Sequence, residues 1–202
     1  MKTKWVWVIG TVVALGVVGV AVALGVQSYQ HKQRLAAFQM LIREGSGQAE
    51  ASLGMISAKG FAMKMVEPEC ERFAQAQRDF IAKVAAANMS DAPEVQREYV
   101  ALLNAEEDLM GTIGAVENNG LKWLSDSGGS ILGEVSRADA CNQGRYFKDQ
   151  IPTFIENMKN VSILEHNFQA TCSKHGLAYE PVFSKYQEHF AEHFNPHFLF
   201  DS

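Results

Sequence analysis

The chain has 202 residues, with 18 Lys and Arg against 23 Asp and Glu and a formal net charge of −5. Residues 1–26 contain two lysines and no acid, so residues 27–202 carry 16 basic and 23 acidic side chains, a charge of −7. An acidic body without a cluster of Lys or Arg argues against binding to nucleic acid and against electrostatic docking on anionic lipid. The body is long enough for one domain with a hydrophobic core.

An uncharged run from Trp5 to Val26 follows the first four residues. As a helix it is roughly 33 Å long, which matches the ~30 Å hydrocarbon core of a bilayer. Trp5 and Trp7 begin the run and Tyr29 follows it, and such amphipathic rings favour the headgroup layers. We therefore predict a cytoplasmic tail and transmembrane anchor in residues 1–26, and a helical domain outside the cytoplasm in residues 27–202.

A cleaved secretory signal is the alternative for the same residues. Lys2 and Lys4 suit its cationic start and Ala21-Val22-Ala23 or Ala23-Leu24-Gly25 its cleavage site, but the apolar segment of a signal peptide is usually only about 7–15 residues. A short cationic tail is also typical of the cytoplasmic end of an N-terminal anchor. The sequence therefore favours an uncleaved single-pass protein of a bacterial inner membrane.

Small residues on one face of the run indicate how two such helices could meet. Gly10, Ala14, Ala21 and Gly25 follow each other at steps of four, seven and four. Small residues let helices approach closely in lipid, so this face predicts a homodimer through the transmembrane helix. The alternative is that Gly and Ala are simply common in membrane helices.

Apolar residues recur at helical spacing through nearly all of residues 27–202, and no segment is typical of a strand. The predicted fold class is all-α, with the N-terminal transmembrane helix followed by an up-down bundle of four or five helices. Residues 27–44 are expected to continue the membrane helix, and Gly45-Ser46-Gly47 to end it. Pro68, flanked by acids, either kinks the next helix or starts a new one.

The remaining helix boundaries follow from capping residues, glycine and proline. The predicted boundaries are a start at Ser90–Pro93, an end at Asn118–Gly120, a start at Asp149–Pro152, an end at Lys174–Gly176 and a last short helix after Pro181. Between them, residues 121–150 have the least regular pattern.

Cys70, Cys141 and Cys172 are far apart and form no CxxC motif. In an oxidising compartment, two of the three are expected to form a disulfide. A bond between Cys141 and Cys172 would need a break in the helix that contains them. The alternative is three reduced and buried thiols, because Cys behaves as a small hydrophobe.

The C-terminal residues include many side chains that can bind a metal, namely Glu188, His189, Glu192, His193, His197 and Asp201. His189 and His193 share a helix face, so they are the predicted ligands of a transition metal, with His166 or His175 as a third. They also match the H-x-x-E-H pattern of inverted zinc peptidases, but only nine residues follow His193, too few for the distant third ligand of that site. The alternative is a solvated helix face.

No catalytic set accompanies these features. The sequence has no G-x-S-x-G turn, no phosphate-binding loop and no Glu-x-x-His pairs of a di-iron bundle. We predict a non-enzymatic membrane protein without a required cofactor, whose helical domain binds another membrane or envelope protein as a scaffold or assembly factor. The alternative is a ligand-binding, metal-binding or sensory module that uses the C-terminal histidines.

Overall fold

The computed structural model describes residues 2–61, 67–132 and 136–186, with most of their side chains from residue 24 onward. These residues form four long helices: α1 (Lys2–Phe61), α2 (Glu67–Ala85), α3 (Pro93–Leu132) and α4 (Arg137–Lys174). A further helical turn spans residues 183–186, after Pro181 as predicted. The prediction of an all-α helical bundle is confirmed for this part of the chain.

Two other predicted boundaries are confirmed. Pro68 lies in α2, but residues 62–66 before it lie outside the described residues, so the choice between a kink and a new helix at Pro68 stays a prediction. α3 begins at Pro93, as its capping residues predict. α4 ends at Lys174, and Gly176 adopts a φ of +69°, the left-handed conformation that glycine favours after a helix.

The predicted helix end at residues 45–47 is wrong, because α1 continues well past it. Gly45 lies where other helices approach α1 closely, since a Cβ at this position would lie 2.2 Å from Tyr99 Oη and 2.7 Å from Phe80 Cε1. The missing side chain lets Tyr99 approach the α1 backbone, where its hydroxyl is 3.5 Å from the carbonyl oxygens of residues 41–42. The glycine is therefore a packing residue and not a stop.

The predicted end of α3 at residues 118–120 and the irregular segment 121–150 are also wrong, because α3 and α4 continue through most of this region. α4 begins after Ser136, whose side-chain oxygen accepts a hydrogen bond from the Asp139 N–H. Pro152, predicted to open this helix, is an exposed residue inside it. Packing between two long helices here outweighs the local preference of proline for a first turn.

Two contacts hold these segments of α3 and α4 together. Asn119 Nδ2 donates a hydrogen bond to Gln150 Oε1 at 2.9 Å. Trp123 packs on Gly144, since a Cβ on that glycine would lie 2.7 Å from the indole nitrogen. The asparagine and the glycine that suggest irregular structure in the sequence are therefore used for contact between helices.

Helices that follow each other in sequence pack against each other: α1 on α2, α2 on α3 and α3 on α4. Tyr99 lies at the centre of their common core, stacked on Phe168 at 4.7 Å between ring centroids and edge-on to Phe38 at 5.9 Å. The backbones of α1 and α4 are not among the closely packed pairs. The bundle is therefore open along the seam between its first and last long helices.

Where side chains are described, no helix is long and apolar enough to cross a membrane. Most of the predicted anchor interface lies outside this part of the structure. Gly25 is described, but the side chains of five of its residues are not: Trp5, Trp7, Gly10, Ala14 and Ala21. Residue 26, the predicted domain boundary, lies within the continuous helix α1.

Candidate functional site

Residues 177–186, here called the C-terminal strap, fill the open seam between α1 and α4. Four of its side chains are buried in the bundle core: Leu177, Tyr179, Val182 and Phe183. The Tyr179 ring packs edge-on against Phe168 with 4.9 Å between centroids. The strap thereby completes the core that the four helices leave open.

Two glutamines fix the backbone of the strap to the helices on either side. From α1, Gln39 Nε2 donates to the Ala178 carbonyl oxygen at 2.8 Å, and Gln39 Oε1 accepts from the Ala178 N–H at 2.7 Å. From α4, Gln169 Nε2 donates to the Tyr179 carbonyl oxygen at 3.3 Å. Backbone groups that cannot join a helix are satisfied in this way.

Glu165 of α4 is the main anchor of the strap and is fully buried. Its Oε1 accepts from the N–H groups of Val182 and Phe183, at 2.5 and 2.7 Å, and from Tyr179 Oη at 3.2 Å. Its Oε2 accepts from the N–H and the hydroxyl of Ser184, at 2.9 and 2.6 Å. The carboxylate thus caps the first N–H groups of the last helical turn, where a negative charge is favourable.

A second buried carboxyl group, Glu106 of α3, is hydrogen bonded to α2. Gln77 Nε2 donates to Glu106 Oε2 at 2.8 Å and lies 3.3 Å from the Leu103 carbonyl oxygen. Burial, and secondly the charge of Glu165, raise the pKa of Glu106 from 4.5 to about 8. Glu106 therefore remains largely protonated at neutral pH, which suits a polar group inside an apolar core.

A cleft of about 730 Å³ lies beside the strap. One wall is α1 from Gln39 to Glu50, and the other is α4 from His166 to Ser173. The strap contributes residues from Leu177 to Lys185.

The outward surface of α1 is the second notable feature. Seven large hydrophobic side chains are exposed where side chains are described, and five of them belong to α1: Leu24, Val26, Tyr29, Met40 and Met55. The other two, Tyr146 and Ile163, lie apart on α4. Exposed apolar surface is therefore concentrated on one helix.

The predicted metal ligands His189 and His193 lie outside the described residues. The two histidines considered as a third ligand have other partners: His175 Nε2 lies 2.8 Å from Glu94 Oε1, and His166 Nδ1 lies 2.7 Å from the Ser162 carbonyl oxygen. Among the residues that the structure describes, no group of three His, Cys, Asp or Glu side chains could hold a metal ion. The metal site therefore remains a prediction.

The cysteines differ in exposure: Cys70 and Cys172 are buried, and Cys141 is exposed. Burial raises the pKa of the Cys172 thiol from 9.0 to about 12. Cys141 and Cys172 lie on one unbroken helix, so their Cα atoms are roughly 46 Å apart at 1.5 Å per residue. A disulfide needs Cα atoms less than ~7 Å apart, so these two cannot pair within the chain.

Sequence reasoning missed the buried polar residues, although the sequence contains a signal for them. Glu165 falls between the core positions Val161 and Phe168, at the spacing of inward-facing residues. Glu106 and Gln77 occupy the corresponding positions in the apolar stripes of α3 and α2. A polar residue on the inward side of a helix needs a partner, and that requirement could have identified all three.

The chain matches no family model, no curated protein and no solved structure. Function therefore has to be inferred from the geometry of the described residues.

Proposed function

We propose that this chain is a non-enzymatic single-span membrane protein of the bacterial envelope, whose helical domain binds another protein as a scaffold or assembly factor. The observation that supports this function is the concentration of exposed hydrophobic side chains on α1. Residues 1–26 serve as the anchor, because their uncharged run has the length of a membrane span.

Five small or apolar exposed residues lie on one side of α1, together with the exposed Arg43. Tyr29, Ala36, Met40, Gly47 and Ala51 are exposed and follow each other at steps of seven, four, seven and four, so they share one side of the helix. None of the five is charged. A solvated helix face normally carries charged residues, and an exposed apolar stripe is typical of a surface that contacts another protein.

The same face suggests the chemistry of the partner. Its apolar residues favour a partner that presents an apolar helix, which would pack along α1. Val26, three residues before Tyr29, continues the face into the predicted span. A partner that is itself anchored in the membrane could therefore follow α1 from the bilayer into the helical domain.

Site-specific photo-crosslinking of the full-length protein in native membranes tests the proposal. A photoreactive residue in place of Met40, which is 71% exposed, should give an adduct with a second protein. The matched control is Ile163 on α4, which is 60% exposed and should give none. Equal adducts from both positions, or none from Met40, would contradict the proposal. An adduct between two copies of this chain would show that the face forms a homodimer and does not bind a different protein.

The proposed topology can be tested with the one cysteine described as exposed. A thiol reagent that does not cross membranes should label Cys141 in intact cells if the helical domain lies outside the cytoplasm. Cys141→Ser should abolish most of the labelling, because Cys70 and Cys172 are buried. Labelling that requires permeabilised cells would place the domain in the cytoplasm. N-terminal sequencing of the same protein distinguishes an uncleaved anchor from a processed signal.

A further inference from the structure

The cleft between α1, α4 and the strap has the size and lining of a small-molecule site. Its volume of about 730 Å³ lies within the range of roughly 300–1,000 Å³ found for ligand pockets. Ile42, Tyr179 and Val182 are buried and line it, so part of its surface is apolar. Gly47 leaves space in it, since a Cβ there would meet nothing within 4 Å.

Charged groups in this cleft lack short contacts with one another. Arg43 lines the cleft and makes no hydrogen bond or ion pair with the residues that the structure describes. Lys185 Nζ lies between two carboxylates, 3.8 Å from Glu50 Oε1 and 3.8 Å from Glu180 Oε2. Both distances exceed the ~3.2 Å limit of a normal hydrogen bond to nitrogen. One guanidinium is therefore available to a ligand, and the two carboxylates are held only by long ion pairs to Lys185.

The two kinds of charge are separated along α1. Arg43, Ser46 and Glu50 share the cleft side of the helix, at steps of three and four residues. Arg43 and Glu50 are thus about 10 Å apart along the helix axis. The Ser46 hydroxyl lies between them and can donate or accept a hydrogen bond.

We propose that this cleft binds a small zwitterion, with its carboxylate on Arg43 and its ammonium group on Glu50 and Glu180. A guanidinium pairs with a carboxylate through two parallel hydrogen bonds, and an ammonium group suits carboxylate acceptors. Arg43 makes one end positive, and the other end, where Lys185 lies between Glu50 and Glu180, has a net negative charge, so a dianion or a dication would face a like charge at one end of the cleft. The cleft shares Gly47 with the exposed face of α1 proposed above, and ligand binding is measured on the protein without a partner.

Isothermal titration of the full-length protein in detergent micelles tests this site, with L-alanine and γ-aminobutyrate as compact and extended zwitterionic probes. At least one should bind with a Kd of about 1 mM or below, and succinate and putrescine should bind about tenfold more weakly or not at all. Absence of binding by both zwitterions up to ~10 mM would overturn the proposal. Equally tight binding of succinate or putrescine would overturn it as well.

Substitutions locate the binding. Arg43→Gln and Glu50→Gln should each weaken the better probe about tenfold or more, because each removes a charge-assisted contact. Arg97→Gln, at an exposed arginine of α3 outside the cleft, is the control and should keep the wild-type affinity. Gly47→Phe should fill the cleft and abolish binding, with a thermal unfolding midpoint close to that of the wild type. Unchanged affinity in Arg43→Gln would place the ligand elsewhere and overturn the assignment.

Discussion

Gly45 and Gly47 lie two residues apart in α1 and should respond differently to alanine. A Cβ on Gly47 would meet nothing within 4 Å, whereas a Cβ on Gly45 would lie 2.2 Å from Tyr99 Oη and 2.7 Å from Phe80 Cε1. Inside a helix, alanine is more stable than glycine by about 1 kcal/mol. Gly47→Ala should therefore raise the free energy of unfolding by about that amount.

Gly45→Ala gains the same helical preference but adds a methyl group to an occupied site. Ordinary contacts begin at 3.4 Å, so the Tyr99 hydroxyl oxygen and Phe80 Cε1 would have to move away by about an ångström. Tyr99 has little freedom to move, because it is buried and stacked on Phe168 at 4.7 Å. Overpacking of this kind costs about 1–3 kcal/mol, so the free energy of unfolding of Gly45→Ala should be lower than that of Gly47→Ala by about this cost.

Denaturant titration of the full-length protein in detergent measures both effects. Tyr99→Phe removes the oxygen that lies closest to the new methyl group, so the double variant with Gly45→Ala should be more stable than the two single effects predict. A coupling of about 1 kcal/mol is expected in this double-mutant cycle. Equal stability of Gly45→Ala and Gly47→Ala, or independent effects of the two core changes, would refute the close approach of Tyr99 to α1.

Three further substitutions test the buried acids and the α3–α4 contact. Because burial raises the pKa of Glu106 from 4.5 to about 8, its ionisation opposes folding, and this group alone should lower stability by about 3 kcal/mol as pH rises from 5 to 8. Glu106→Gln should remove that loss in denaturant titrations, whereas the exposed control Glu156→Gln should keep it; parallel profiles for all three proteins would contradict this. Glu165→Ala should destabilise the fold by about 3 kcal/mol or more and speed amide exchange in the strap, because several donors lose their acceptor. Gly144→Ala should lower the unfolding midpoint by displacing the indole that it contacts, whereas Gly111→Ala, with open space around its Cβ, should raise it.

Helix content and several helix starts were predictable because they depend on local chemistry. Proline in a first turn and an apolar residue at every third or fourth position act within a few residues of the chain. Helix ends at glycine were not predictable in this way. Gly45 makes room for Tyr99, which is distant in sequence. The residues around the glycine do not indicate that Tyr99 packs there.

In the candidate sites, too, local features could be predicted from the sequence, whereas features that depend on distant residues could not. The position of Glu165 on the inward side of α4 could be derived from helical spacing, but its acceptor role could not, because the strap it holds is placed by tertiary packing. The cleft is formed where Arg43 of α1 comes near Lys185 of the strap. No local pattern links two residues so far apart in the chain.

The continuity of α1 has a mechanical consequence. The helix runs from Lys2 to Phe61 as a rod of roughly 90 Å and contains no proline. Backbone hydrogen bonds in every turn resist twisting and sharp bending, and Phe38 and Ile56 fix the far half of the rod in the core. A rotation of the first residues about the helix axis would therefore be transmitted as torque to the cleft side of α1. Whatever sets the direction of residues 5–26 also sets the tilt of the bundle.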